Sequence, residues 1–257
     1  MWKEELTVAR QAAEEAGKIL NDLFGRVKKV KKKGEIDIVT EADLRSEEII
    51  LDILGRNFPN DSIITEEAGE YRRLPERVWI IDPLDGTTNF AHTFPFFAVS
   101  IALEIKKEMV LGIVFNPCLE EHFEAVKGKG AFFNKNPIRV SRARELRESL
   151  VATGFPYSVY KDPQGVMELL KKMVVHAQGV RRPGSAAIDL CYVAAGRLDG
   201  FWEEGLKPWD TAAGSLIVRE AGGRVSNYEG VPYTPYQESI VAANPYIYDA
   251  MMEVLNI

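Results

Sequence analysis

The chain has 257 residues, 46% apolar and 27% charged, enough to bury one large core or two intimately packed halves. Its net charge of -6 argues against a general nucleic-acid binder. The two cysteines, Cys118 and Cys191, form no CxxC or metal-finger pattern, which points to a reducing compartment. The N-terminal segment MWKEELTVARQAAEEAGKIL carries acids and no continuous apolar block, so no signal peptide is expected there. No apolar run approaches the ~20 residues that span a bilayer. The expectation is a soluble cytoplasmic protein without nucleic-acid or membrane partners.

In chain order, Leu6, Ala9, Ala13, Ala16, Leu20 and Leu23 recur at helical steps and predict an amphipathic helix ending near Gly25. VKKVKKKGE at 27–35 reads as a solvated basic strand edge or loop. A second helix is predicted over 42–58, stopped by Pro59, followed by short buried strands at 62–65 and 78–81. A β-rich stretch follows at 98–105, 110–115 and 122–126. KGKG at 127–130 is a turn rather than a phosphate loop, because no helix follows with Lys and Ser/Thr in place. Beyond residue 150 the pattern alternates, with strands at 150–153, 199–202 and 239–242 and helices at 163–175, 185–195, 210–221 and 246–255. The fold class is therefore mixed: helices on a largely antiparallel sheet in 1–145, α/β in 146–257, the two halves forming one compact unit. There is no internal repeat and no Gly/Ser/Pro linker.

The chemistry concentrates in WIIDPLDGTTNF at 79–90, where an apolar strand runs into Asp82 and Asp85. Pro83 fixes its own φ and removes an N–H, while Gly86 permits close backbone approach. The amides of Gly86, Thr87 and Thr88 can then face outward as an anion nest beside two hard oxygen donors. That combination suits a divalent cation bound together with a phosphate. A structural Asx turn accounts for one aspartate and the glycine, but not for the second aspartate. The stretch also invites comparison with haloacid-dehalogenase-type phosphatases. There the nucleophilic and acid-base aspartates stand two apart and so share a strand face. Here the spacing is three with Pro83 between, which disfavours a covalent aspartyl-phosphate mechanism.

Two further acidic places matter. ITEEAGE at 64–70 sets Glu66 and Glu67 at the end of an apolar run. WDTAAGSLIVREAGG at 209–223 opens a helix at Asp210 and closes it at Gly222 and Gly223. On that segment alone, Asp210 reads equally as a helix N-cap or as a site residue.

Taken together, ITEE, DPLDGTTN, GSAAIDLCYVAAGRLDGFWEEG and WDTAAG with EAGG resemble the inositol monophosphatase family of metal-dependent phosphomonoesterases. The resemblance runs in order from DIVTEAD at 37–43 to VAANP at 241–245. It implies a layered αβαβα sandwich, Mg²⁺-dependent hydrolysis with two or three ions, inhibition by lithium and a homodimer. By the same resemblance, Glu66, Asp82, Asp85, Asp210 and the Leu84 carbonyl match metal ligands. Asp43 matches the acid near the attacking water and a weaker additional metal, with Thr87 working beside it and Glu66 also near the water. Gly86 and Thr87 match the phosphate cradle, with Asp85 and Asp210 also facing substrate. Glu203 matches the residue that binds substrate hydroxyls, and Gly184, Ser185 and Ala186 the loop against the sugar ring.

The neighbours receive lesser roles. His92 is expected to pack or gate, and Lys32 or Lys33, neither singled out, to approach the phosphate or compete with a third metal. Arg181 and Arg182 are expected at the substrate or at a subunit surface. Glu67 and Glu204 read as neighbours of ligands, Cys191 as a small buried residue, and Trp202 and Trp209 as core anchors. Glu203 favours a polyol ester, since a buried carboxylate rejects a partner lacking hydroxyls. It repels a second phosphate unless Arg181, Arg182 or Lys207 offsets it. Inositol 1-phosphate is the expected substrate. Fructose 1,6-bisphosphate, or another sugar or nucleotide phosphate, is the alternative. A regulatory interaction protein that keeps the fold is the alternative of another class.

Overall fold

The structure, a computed structural model, describes residues 2–26, 30–32, 38–71 and 74–255. Lys33 and the Lys32 side chain, with most of the basic segment 27–35, lie outside what is described. The chain opens with α1 (Lys3–Leu23), the ribbon β1 (Val30–Lys32) and β2 (Ile38–Thr40), then α2 (Glu41–Asn57). Next come β3 (Asp61–Thr65), β4 (Gly69–Tyr71), the long β5 (Leu74–Asp85) and the short α3 (Thr87–Ala91). A meander follows: β6 (Ala98–Ile105), β7 (Glu108–Asn116), β8 (Glu121–Val126), β9 (Ala131–Phe133) and β10 (Asn136–Ile138). The second half holds β11 (Leu150–Thr153), α4 (Gln164–His176), β12 (Gly179–Arg181), α5 (Ala186–Ala194) and β13 (Gly200–Glu204). It closes with α6 (Pro208–Glu220), β14 (Arg224–Ser226), β15 (Ser239–Ala243) and α7 (Tyr248–Leu255).

Among the described residues the large sheet runs β10-β9-β8-β7-β6-β5-β3-β4, antiparallel except for the parallel β3–β5 pair. The smaller sheet runs β12-β11-β13-β15-β14 and is mixed, with β11 parallel to both its neighbours. Strand alternation sets the layers. On β5, Trp79 and Ile81 join the core under α1 and α2, whereas Val78 and Ile80 join the core shared with α5 and α6. On β13 and β15, Phe201, Ile240 and Ala242 face α5 and α6, while Trp202, Val241 and Ala243 face α4 and α7. The result is the expected αβαβα order, with α5 and α6 filling the space between the two sheets.

That middle layer demands small residues. A Cβ on Gly112 of β7 would lie 2.8 Å from the Ala213 carbonyl oxygen and 2.9 Å from its Cα, so α6 rests directly on the strand backbone. Because backbone cannot swing aside, Gly112→Ala is expected to lower stability by about 1–3 kcal/mol. Urea denaturation would show this as a lower midpoint with an unchanged slope.

Several elements differ from the sequence expectation. The strand expected at 78–81 extends over Leu74–Asp85. The helix expected to begin at Asp210 begins at Pro208, because proline at the first helical position is already set for helical φ. Asp210 is thus not the N-cap. The KGKG turn does bind an anion, though a protein one: the Gly128 and Gly130 amides donate to Glu220 at 2.8 and 2.9 Å. Among the described residues no helix is long and apolar enough to cross a membrane.

Candidate active site

The site begins with an irregularity in β5. Asp82 pairs with Ser100 and Asp85 with Ala98, so Pro83 and Leu84 are skipped in the ladder. Pro83 has no N–H to offer the partner strand, which makes a bulge the natural solution there. The Pro83 carbonyl instead accepts from Ser46 Oγ on α2 at 2.7 Å, and Asp82 Oδ1 accepts from the Leu84 amide at 2.9 Å. Gly86 then turns at φ 94°, and a Cβ there would lie 3.0 Å from the Phe96 carbonyl oxygen. Beyond it, the first turn of α3 leaves the amides of Gly86, Thr87 and Thr88 without intrahelical acceptors.

Other elements bring their groups to this loop. Asp85 accepts from Ser185 Oγ at 2.6 Å and from the Ala187 amide at 2.7 Å, tying the end of β5 to the start of α5. Asn89 donates to the carbonyls of Phe96 and Pro183 at 2.7 and 2.9 Å, fixing the loop that carries Gly184 and Ser185. Asp210, in the first turn of α6, accepts from the Lys207 amide at 2.7 Å. Glu203 comes from β13 and is pressed so closely on Gly154 that a Cβ there would meet Oε1 at 2.1 Å.

These pieces enclose a cavity of about 290 Å³. Glu66, Asp82, Leu84, Asp85, Gly86, Thr87 and Asp210 line it. Gly184, Ser185, Ala186, Glu203, Asp189, Arg182, Phe155, Tyr157 and Trp209 line it as well. Asp43 is not on the wall. It is fully buried in the first turn of α2, where Oδ2 accepts from the Thr40 amide and hydroxyl at 2.8 and 2.6 Å. Its Oδ1 reaches the cavity through Thr87 Oγ1 at 2.8 Å, and that same hydroxyl lies 3.1 Å from the Leu84 carbonyl.

Burial dominates the electrostatics. It pushes the Asp82 carboxyl well above its ordinary value, with Glu66, Asp85 and Asp210 adding to the rise. Asp85 is pushed up to about 6 by burial, opposed by its bonds from Ser185 and Ala187. Asp210 and Glu203 are raised for the same first reason, with added repulsion from Asp85 and Asp210 respectively. Burial also raises Asp43, against its bonds from Thr40 and Thr87.

Among the described residues no three acids, histidines or cysteines converge to a ready-made ligand cage. The donor chemistry nonetheless fits a hard divalent cation. Glu66, Asp82, Asp85 and Asp210 share one cavity, and their mutual repulsion is what a bound cation relieves.

Some residues matter that the sequence reading did not single out. Glu47, one helical turn beyond Asp43, accepts from Thr65 Oγ1 at 2.6 Å and from the Glu67 and Ala68 amides at 3.2 and 3.0 Å. It therefore shapes the turn that carries Glu66. Its i, i+4 relation to Asp43 was the available signal. Asn89 and Asp189 carried no such signal. His92 and Arg181 are exposed and do not line the cavity, whereas Arg182 does, its guanidinium 5.5 Å from the Phe155 ring. Trp202 and Cys191 are core residues as expected, but Trp209 is half-buried on the cavity wall. Glu67 neighbours Glu66, and Glu204 lines the adjoining groove.

The five-layer fold thus brings acids from five segments, Glu66, Asp82 with Asp85, Asp189, Glu203 and Asp210, to one small cavity. The chain belongs to the inositol monophosphatase family, whose sequence model matches residues 1–256. It is 44% identical to the Nus factor SuhB of Salmonella typhimurium over 250 residues, 96% of this chain and 94% of that one. It is also 44% identical to an inositol-1-monophosphatase of Synechocystis, over 97% of this chain and 88% of that one. The crystal structure of the extragenic suppressor protein suhB from Bartonella henselae superposes with a TM-score of 0.95 at 42% identity, covering 98% of each chain.

Proposed function

We propose that this chain hydrolyses a phosphate monoester with Mg²⁺, and that its preferred substrate is inositol 1-phosphate. The observation that supports this best is a single cavity lined by Glu66, Asp82, Asp85 and Asp210 together with Glu203. Glu66, Asp82, Asp85, Asp210 and the Leu84 carbonyl would hold two or three Mg²⁺ ions. When bound, the ions neutralise phosphate charge and acidify water. Thr87 orients the attacking water and passes its proton toward Oδ1 of Asp43, whose buried carboxyl is already raised as a base requires. Glu66, which lines the same cavity, would help hold that water. The amides of Gly86 and Thr87 cradle phosphate oxygens. Gly184, Ser185, Ala186 and Glu203, with Asp85 and Asp210, hold the departing polyol.

The halves 1–145 and 146–257 act as one unit, since Asp85 and Ser185 belong to different halves and bond each other. The two free cysteines and the net charge favour the cytoplasm, and the family favours a homodimer with lithium sensitivity.

A second reading, that of a regulatory interaction protein, draws support from a 44% identical relative that carries the name Nus factor. The full set of acids around the cavity favours catalysis, because unrelieved clustered carboxylates are costly to keep. Phosphate release with Mg²⁺ from inositol 1-phosphate and fructose 1,6-bisphosphate, measured side by side, tests the proposal. The inositol ester is expected to be preferred by at least about tenfold, since a second phosphate meets Glu203. A preference for the bisphosphate would assign the pocket to Arg182 and Lys207 instead. No release from either ester would leave the regulatory reading standing.

A further inference from the structure

Asp189 stands in the first turn of α5, on the wall of the same cavity, and is 1% exposed. The mechanism above gives it no task. Among the described residues its Oδ1 is one of two buried side-chain polar atoms without a hydrogen-bond partner, the other being His122 Nε2, which lines a different pocket. A carboxylate oxygen is costly to bury unless a donor reaches it. Among the neighbouring polar groups, the Ser185 hydroxyl is already committed. Ser185 donates to Asp85, and Glu203 is wedged against Gly154. Arg182 lies over Phe155, and its charge favours ionised Asp189 and Glu203 alike.

We propose that Asp189 is a second polyol-recognising residue, which with Glu203 bonds two hydroxyls of the departing alcohol while Arg182 balances the pair. The proposal rests on the substrate reading above and extends it. Burial holds the Asp189 carboxyl well above its ordinary value, and Glu203 and Asp85 raise it further. A substrate hydroxyl both donates and accepts, so it serves the pair whichever carboxyl carries a proton. A simple ester with a bare leaving group leaves both carboxyls unserved, which gives the wall its selectivity.

The test compares kcat/KM on inositol 1-phosphate with kcat/KM on phenyl phosphate, whose leaving group has no second hydroxyl. In Asp189→Ala the ratio of the two is expected to fall roughly 10- to 100-fold, carried mainly by KM for the inositol ester. Thermal melting without substrate checks that the variant is folded. If it is not, Asp189→Asn keeps the size, removes the charge and takes the same comparison, with a fall of about tenfold expected. Equal loss on both esters would mean that Asp189 only supports α5, and the proposal would be overturned. An unchanged ratio overturns it too, and leaves the substrate reading intact. If the wild-type protein shows no preference for the inositol ester, both fall together.

Discussion

Asp82→Asn is expected to lower Mg²⁺-dependent phosphate release from inositol 1-phosphate on the order of 10³-fold, while leaving the metal-free protein at least as stable as wild type. The two halves of this expectation come from the same geometry. Asp82 is 1% exposed, and burial with Glu66, Asp85 and Asp210 around it makes its charge unwelcome. An asparagine keeps an oxygen for the Leu84 amide at 2.9 Å, so the bulge retains its anchor. What disappears is one negative charge from a cluster that needs it only to hold cations. Activity assays and calorimetry on the same preparation read both effects. A variant that remained active would remove the metal cluster from the mechanism. A variant that merely unfolded would show that the bulge depends on the charge.

The second large effect is in stability. Without metal the melting temperature is expected to fall as pH rises from 5.5 to 7.5. Asp85 is held at about 6 in the folded protein against an ordinary 3.8, and Asp82 and Asp210 are raised well above that ordinary value. The folded state therefore keeps protons that the unfolded chain has released. The associated stability is fully present below about pH 4 and is lost as pH climbs through about 6 and beyond. Mg²⁺ competes with those protons, so its stabilisation should grow over the same interval. At a hundred times its dissociation constant, Mg²⁺ adds about 2.7 kcal/mol. For a chain of this size that corresponds to a rise of roughly 5–10 °C at pH 7.5, with a smaller rise at pH 5.5. Melting curves with Mg²⁺ and with a chelator at the two pH values check both signs. A Mg²⁺ response of equal size at both would mean that the ion binds elsewhere than at the raised carboxylates.

Much of this site was legible in the sequence because its chemistry is compressed into short runs. Asp82, Pro83 and Asp85 announce a strand that cannot keep its ladder, and the bulge between the two aspartates is the outcome. Asp210 was ambiguous because an acid near a helix start satisfies an N-cap and a site equally well. Pro208 at the first helical position was the signal that moves Asp210 inside the helix. The short strands β4, β9, β10 and β12 escaped because three residues cannot display an alternation. Asp189 escaped for a different reason. Its neighbours Ala187, Ile188, Leu190 and Cys191 are all buried, so period and composition describe the helix fully and say nothing of one acid facing a cavity.

The bond between Asp85 and Ser185 has a consequence for how the site comes into being. The carboxylate at the end of β5 also caps α5, a helix built from residues about a hundred positions later. While the ribosome is still making the second half, Glu66, Asp82 and Asp85 exist without Asp210 and without the donors that steady Asp85. A nascent first half therefore offers these three acids and an incomplete cavity. The cavity is closed only when α5 and α6 have docked, so the proposed activity would itself report that the two halves have folded together.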